Sequence, residues 1–323
     1  MVASDVTTHE ASWAPGGSAE AFGGVVDPFR RELLVHCYRM LGSIDDAEDA
    51  LQDALANAWH RRNTYQRDVS FRAWLYRIAT NACLDAIGRR KRRSGSEVHI
   101  GVGPFPDELL DGAVVAGPEA RFDAHESISL AFLTALQLLP PRQRAVLVLR
   151  DVLSWHAAEV AELLDLSVPA VNSALQRARA TVSRRYGQPG RSGPRVTPAQ
   201  PQPGGLLERY VRAWESADVA GLVALLREDA LLTMPPRPSV AGAGAIGEFL
   251  AASMLDATRP MRLVEARANG SPAFLAYTNP AHGERSDAFA LMVLAVDEHL
   301  VAQIDAFADP DVLGRFGPPC LGC

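Results

Sequence analysis

Amides, hydroxyls and guanidiniums lined along one helix face can read and hold a nucleic acid, and residues 167–179 supply such a set. Ser167, Ala170, Asn172, Ser173, Gln176, Arg177 and Arg179 combine groups that hydrogen-bond base edges with guanidiniums that fork onto guanine or phosphate. Val171, Leu175 and Val182 fall between them at helical spacing, which turns the polar set toward solvent. The elements that position this helix precede it. Leu139-Pro140-Pro141-Arg142-Gln143-Arg144 opens one helix, with Val146, Leu147 and Leu149 inward, and Ala157 to Leu164 forms a second. Asp165-Leu166-Ser167 then makes a tight turn, with Ser167 as N-cap and Pro169 near the first helical position of a third helix, Val168 to about Arg185. Asp165 stands where Gly is common in such turns, and Asp tolerates left-handed backbone better than most residues. Three helices in this order make a helix-turn-helix, whose last helix reaches base edges in the major groove while basic residues hold phosphates. A structural bundle with a solvated basic face is the alternative.

A second polar set lies in residues 28–93. Phe29, Leu33, Leu34, Cys37 and Leu41 mark one helix there. Asp45 to about His60 marks the next, with Ala47, Ala50, Leu51, Ala54, Leu55, Ala58 and Trp59 as its apolar stripe. Its opposite face carries Asp46, Asp49, Gln52, Asp53 and Asn57, either a solvated face or a dock for a basic partner. A third helix from Ser70 buries Phe71, Trp74, Leu75, Ile78, Ala79, Ala82 and Ile87. It exposes Arg77, Asn81, Asp85 and Arg89 at four-residue intervals and ends in Arg89-Arg90-Lys91-Arg92-Arg93. That basic run suits phosphate contact with counterion release or complements the helix dipole. The loop Arg62-Asn63-Thr64-Tyr65-Gln66 pairs polar groups with one ring that an unstacked base could meet.

These two blocks have a family look. The Asp-Asp-Ala-Glu-Asp-Ala-Leu-Gln-Asp-Ala helix followed by Phe71-Arg72-Ala73-Trp74-Leu75-Tyr76-Arg77-Ile78-Ala79-Thr80-Asn81 resembles region 2 of bacterial sigma factors. The Leu-Pro-Pro-Arg-Gln-Arg helix-turn-helix resembles their region 4. The short linker without a region 3 resembles the extracytoplasmic-function group. The resemblance implies an RNA polymerase specificity subunit, itself without catalytic residues, metal or cofactor. Asp46, Asp49, Gln52, Asp53 and Asn57 would grip the polymerase clamp. Asn63, Tyr65, Arg77, Asn81, Asp85, Arg89, Arg90 and Lys91, with the loop to Gln66, would engage the −10 element. Ser167, Ala170, Asn172, Ser173, Gln176, Arg177 and Arg179 would read the −35 element, and the helix from Leu138 would meet the polymerase flap. A free-standing helix-turn-helix regulator is the rival reading.

Beyond a Pro-, Gly- and Gln-rich linker at 187–205, a third unit begins. Leu206, Leu207, Tyr210, Val211 and Trp214 share one helix face. Asp218 caps a second helix carrying Leu222, Leu225 and Leu226. A strand at Ala230–Met234, a helix near 243–255 and strands near 261–268, 272–279, 286–296 and 300–307 follow, with Asn269-Gly270 as a hairpin turn. Helices followed by a curved antiparallel sheet define an α+β domain, similar to the SnoaL-like, NTF2-like cone fold. The expected fold is therefore multidomain: two all-α sigma domains and a C-terminal α+β cone. The boundaries are an N-terminal tail 1–27, region 2 at 28–93, an acidic linker 94–125, region 4 at 126–186, the linker 187–205, the cone 206–316 and a tail 317–323. The cone either regulates the sigma domains by intramolecular docking or turns over a small molecule, for which Asp287, His282, Asp305 and Tyr210 are the candidate inward groups.

Charge is segregated. Residues 1–27 carry −4, 28–93 carry +5, 94–125 carry −5 and 204–323 carry −6, within a total of −6. The acidic linker could mimic nucleic acid in the polymerase channel or serve as a spacer, and an acidic cone could shield basic surfaces. No apolar run reaches the roughly 18 residues of a membrane span. The N-terminal stretch has the wrong charge for a signal peptide, so a cytoplasmic address is expected. Cys37 and Cys83 sit at apolar helical positions, while Cys320-Leu321-Gly322-Cys323 is half of a zinc or redox motif without a second half.

Overall fold

The computed structural model describes residues 18–65, 70–94, 102–110, 127–186, 205–255, 261–278, 286–297, 299–317 and 320–321. They fall into two compact units, one drawn from 1–102, 109–127 and 132–185, the other from 103–108, 128–131 and 186–323.

The first unit is helical. α1 (Ala19–Val26), α2 (Arg30–Leu41), α3 (Ile44–Arg61) and α4 (Phe71–Ser94) form the first block. α1 corrects the expectation of a plain tail at 1–27: Ser18 caps it, and Phe22, Val25 and Val26 are buried. α2 stops at Gly42, whose φ of 78° is the left-handed C-cap that only glycine adopts freely. Ser43 then caps α3 through the amide of Asp46. The stripe expected on α4 is mostly internal, although Trp74 and Ile87 are only half-buried. α5 (Leu130–Gln137), α6 (Pro141–Leu147), α7 (Ala157–Leu164) and α8 (Val168–Tyr186) follow. α6 runs into one π-helical turn, Val148–Val152. The helix expected from Leu138 begins at Pro141 instead, because Pro140 and Pro141 fit a helix start and not its interior; Leu138 lies exposed in the preceding turn.

The second unit holds α9 (Leu206–Glu215), α10 (Val219–Leu225), β1 (Leu226–Met234), β2 (Arg237–Ala241), α11 (Ala243–Ser253), β3 (Met261–Ala268), β4 (Ser271–Thr278), β5 (Ser286–Asp297), β6 (Leu300–Phe307) and α12 (Pro310–Leu313). The strand order is β2-β1-β6-β5-β4-β3. One face of this sheet packs on α9–α11 through Tyr210, Trp214, Leu222, Ile246, Phe274 and Ile304. The sheet is not purely antiparallel as expected: β1 pairs with β6 in parallel. β1 also starts four residues before its sequence signal, since a register irregularity between Leu226 and Leu231 interrupts the alternation through Arg227, Glu228 and Asp229. β2 had no sequence signal because Pro238 argues against a strand; as the sheet edge it tolerates the missing N–H. Cys320 and Leu321, expected in a tail, form a short strand β7 on β5, and Cys323 lies outside the described residues, as do residues 187–204 of the Pro-rich linker.

Candidate nucleic-acid and polymerase interfaces

The turn that aims α8 has the geometry its residues demand. Asp165 ends α7 at φ 52°, and the Ala170 amide donates to Ser167 Oγ at 3.3 Å. Val171, Ala174, Leu175 and Ala178 are buried, so Ser167, Asn172, Ser173, Gln176 and Arg177 stand exposed along one side, with Ala170 half-buried. Arg179 is exposed but braced: its Nε and Nη2 donate to Asp151 at 2.8 and 2.7 Å. That hydrogen bond raises its pKa and holds it charged. The free face of the helix is therefore centred on residues 172–177.

On α4, Asn81, Asp85, Arg89 and Lys91 are exposed, and Arg77 and Arg90 are half-buried. The acidic face of α3 and the basic end of α4, read separately in the sequence, partly pair. Arg89 meets Asp53 at 3.0 Å and Arg90 meets Asp46 at 2.7 Å, while Asp49, Gln52 and Asn57 stay exposed. Each such surface pair contributes at most about 1 kcal/mol, so a charged partner can replace it. Asn63 is exposed in a 3-10 turn. Tyr65 is not a free ring, since it packs edge-on against Phe71 at 5.3 Å and against Trp74 at 5.4 Å. Gln66 lies outside the described residues.

Comparison with known proteins identifies the domains that carry these faces. Sigma-70 region 2 matches residues 25–93, Sigma-70 region 4 matches 129–182, and a SnoaL-like domain matches 207–304. The ECF RNA polymerase sigma factor SigG of Mycobacterium tuberculosis is 40% identical over 92% of this chain and 84% of its own length. The chain belongs to the extracytoplasmic-function sigma factor family. It is a promoter-directing alternative sigma factor with a fused SnoaL-like domain. SigW of Bacillus subtilis is 29% identical over 52% of this chain and 90% of its own. The crystal structure of Mycobacterium tuberculosis SigJ shares the fold, with a TM-score of 0.57 at 24% identity over 88% of this chain and 96% of that one.

Within the first unit, the sigma factor's region 2 and region 4 pack together, in part through polar contacts that the sequence does not announce. Arg77 of α4 donates to Asp165 of the helix-turn-helix turn at 2.9 Å. Arg72 forks onto Glu32 at 2.9–3.1 Å and lies over the Tyr76 ring, 4.9 Å from its centroid. Tyr76 meets Trp155, from the turn before α7, at 5.2 Å. Buried Arg144 of α6 donates to the carbonyl of Met40 at the end of α2 and to the Gln137 side chain. It also donates to the carbonyls of Gln137 and Leu139 at 3.1 and 3.3 Å. Burial lowers its pKa to about 10, which leaves it charged at neutral pH. His36 is fully buried, with Nε2 2.9 Å from Thr80 Oγ1. Burial first, then the charges of Arg39 and Arg72, lower its pKa to about 3. In the sequence these groups are ordinary members of a charged population; only their positions on otherwise apolar helices hinted at burial.

The cone's cup is lined by apolar side chains, among them Trp214, Leu232, Met292, Ile304 and Ala306. Asp305, a candidate inward carboxylate, alternates with Ile304 and Ala306 along β6 and so faces the opposite side of the sheet. It accepts hydrogen bonds there from Thr233 Oγ1 and from Gln303 Nε2. Burial raises its pKa, opposed by those two bonds. Tyr210 is wholly buried, Asp287 is exposed and His282 lies outside the described residues.

Proposed function

We propose that this sigma factor rests closed and opens on core RNA polymerase. Asp46, Asp49, Gln52, Asp53 and Asn57 then meet the clamp, α6 meets the flap, the exposed face of α4 with Asn63 engages the −10 element and residues 167–177 of α8 read the −35 element. The observation that carries the resting state is the Arg77–Asp165 pair, which joins the two DNA-reading regions within one compact unit. Promoter elements centred some 25 base pairs apart lie about 85 Å apart on B-DNA, so the two regions cannot both occupy their elements while the pair holds. The pair itself is exposed and weak, which suits a contact that must break. The SnoaL-like domain, with its net charge of −6 over residues 204–323, acts in this reading as a control module in the cytoplasm. Its apolar cup and the outward placement of Asp305 favour that role over isomerase-like turnover, which needs a carboxylate base inside.

The test is initiation by purified core polymerase on genomic promoter fragments, with the full chain and with a chain stopped at Gly190. Initiation with either, and none with core alone, supports the reading; a gain on truncation makes the cone inhibitory, and a loss makes it part of the active holoenzyme. Silence from both would overturn the proposed opening on core polymerase. In the same assay Arg177→Ala is expected to weaken promoter-specific initiation about tenfold, within the range for one base or phosphate contact. Unchanged initiation would remove Arg177 from the recognition face.

A further inference from the structure

Arg179 stands apart from the other polar residues of α8. Ser167, Asn172, Ser173, Gln176 and Arg177 lie exposed, whereas the Arg179 guanidinium is already gripped. Its Nε donates to Asp151 Oδ2 at 2.8 Å and its Nη2 to Asp151 Oδ1 at 2.7 Å, the two-point fork that fixes a guanidinium plane. The grip is one-sided. The Arg179 side chain remains 58% exposed and that of Asp151 only 29%, so the edge carrying Nη1 is left for another acceptor. Asp151 itself comes from a firm place. It lies in the π-helical turn Val148–Val152 after α6, and such a turn takes in one extra residue, about 100° of helix rotation. Val148 and Leu149 are fully buried on one side of it, and on the other the Arg150 guanidinium donates to the Trp155 carbonyl. Arg179 follows Asn172 by seven residues, within about 20° of the same line along the helix and about 10 Å farther from its start. The major groove is roughly 8.5 Å deep, so a helix entering it tip-first, with Asn172 at a base edge, brings Arg179 out to the phosphate backbone. Residues 168–186 carry four arginines and no acidic residue. A carboxylate set against this helix opposes the phosphates unless what it does for Arg179 outweighs its own charge.

Taking α8 as the reader of the −35 element, as proposed above, we infer that Asp151 is a positioning residue for promoter recognition, holding the Arg179 guanidinium in place to clamp one backbone phosphate beside that element. A free arginine gives up several rotamers when it grips a phosphate, and that ordering opposes binding. The Asp151 fork has fixed the plane before DNA arrives, so the Nη1 edge meets the phosphate already oriented. The same bond keeps Arg179 charged, since the hydrogen bond to Asp151 is the chief cause of its raised pKa. A phosphate contact carries no base information but sets the register of a helix on the duplex. Asp151 therefore governs how firmly residues 167–177 are held over their bases, and not which bases they choose. The opposite role is that of a guard, in which Asp151 neutralises Arg179 and repels the backbone. The two roles predict effects of opposite sign when the carboxylate is removed.

The test uses holoenzyme assembled from the full chain and core polymerase, on a genomic promoter fragment from which the parent initiates. Asp151→Ala removes a negative charge beside the DNA, so charge repulsion alone predicts tighter binding. The positioning role predicts binding weaker by about three- to tenfold, the ordering cost of one long side chain. Asp151→Asn, which keeps the shape of the side chain without its charge, is expected to change affinity in the same direction. Arg179→Ala is expected to weaken binding too, and to reduce the slope of log affinity against log salt by about 1. Adding Asp151→Ala to Arg179→Ala is expected to cost nothing more, because the residue it serves is gone; a merely structural role would cost the same in both backgrounds. Base preference over a randomised −35 element is expected to match the parent in every variant. Equal or tighter binding by both Asp151 variants would overturn the inference, as would equal losses in the two backgrounds or a parental salt slope for Arg179→Ala. A parent that initiated on no fragment would overturn the proposed opening on core polymerase, and the role of Asp151 with it.

Discussion

Arg144→Ala is expected to lower the stability of the helical unit by at least about 3 kcal/mol, read as a fall of roughly 6–12 °C in its unfolding temperature. The reason lies in what the guanidinium completes. The last carbonyls of a helix have no partner within it, and Arg144 reaches two such ends, Met40 near the end of α2 and Gln137 at the end of α5. It also donates to the Gln137 side chain and to the Leu139 carbonyl. Alanine leaves the Met40 and Leu139 carbonyls buried without this donor, each worth about 1–3 kcal/mol, and leaves a void where a side chain 4% exposed had been. Arg144→Lys is expected to recover only part of the loss, because an ammonium on a flexible stem cannot fork onto acceptors in two directions. Calorimetry of the two variants beside the parent checks this. A shift below about 1 kcal/mol for the alanine variant would mean that the carbonyls find water and that Arg144 is not the tie between α2, α5 and α6.

Arg144 also shows where sequence reasoning ends. The helix-turn-helix was legible because each of its signals is local: the apolar spacing on α8, the Ser167 cap and the tolerance of Asp165 for left-handed backbone are properties of adjacent residues, and φ 52° at Asp165 is what they imply. The Asn269-Gly270 turn was legible for the same reason. Partnership is not local. Nothing near Arg179 in sequence announces that Asp151 will brace it, and nothing near Asn269 announces Phe105 or Ile128. The acidic face of α3 and the basic end of α4 read as separate surfaces until the packing of the two helices set Asp46 beside Arg90 and Asp53 beside Arg89. In the cone the parallel β1–β6 pairing depends on strands about seventy residues apart, a choice that alternation within either strand does not encode. Asp305 illustrates the same limit at finer scale. A carboxylate on a strand reads as a candidate base, and only the register of β6 turns it away from the cup while Ile304 and Ala306 turn inward.

The second large effect is one of acidity. His36 sits neutral in the core of region 2, its pKa lowered from 6.5 to about 3, first by burial and then by the charges of Arg39 and Arg72. The folded form therefore takes up a proton only near pH 3, whereas the unfolded chain takes it up near 6.5 and is favoured as the pH drops between those values. The stability that His36 contributes is complete above pH 6.5, falls by about 1.4 kcal/mol per pH unit below it, and is exhausted near pH 3. At pH 4.5 the loss from this residue alone comes to about 2.7 kcal/mol. His36→Gln keeps a hydrogen-bonding group for Thr80 but carries no titrating one, so its stability is expected to be lower at pH 7.5 and to decline less toward pH 4.5. Comparing variant with parent removes the contribution that all other acid-sensitive groups share. Urea unfolding of both proteins at the two pH values gives the difference directly. Parallel acid losses in parent and variant would show that His36 is not the acid-sensitive group. A parent that loses the extra 2–3 kcal/mol would tie acidity to the closed unit, because the His36 ring packs edge-on against Tyr76 at 5.0 Å and Tyr76 carries the contact with Trp155 of region 4.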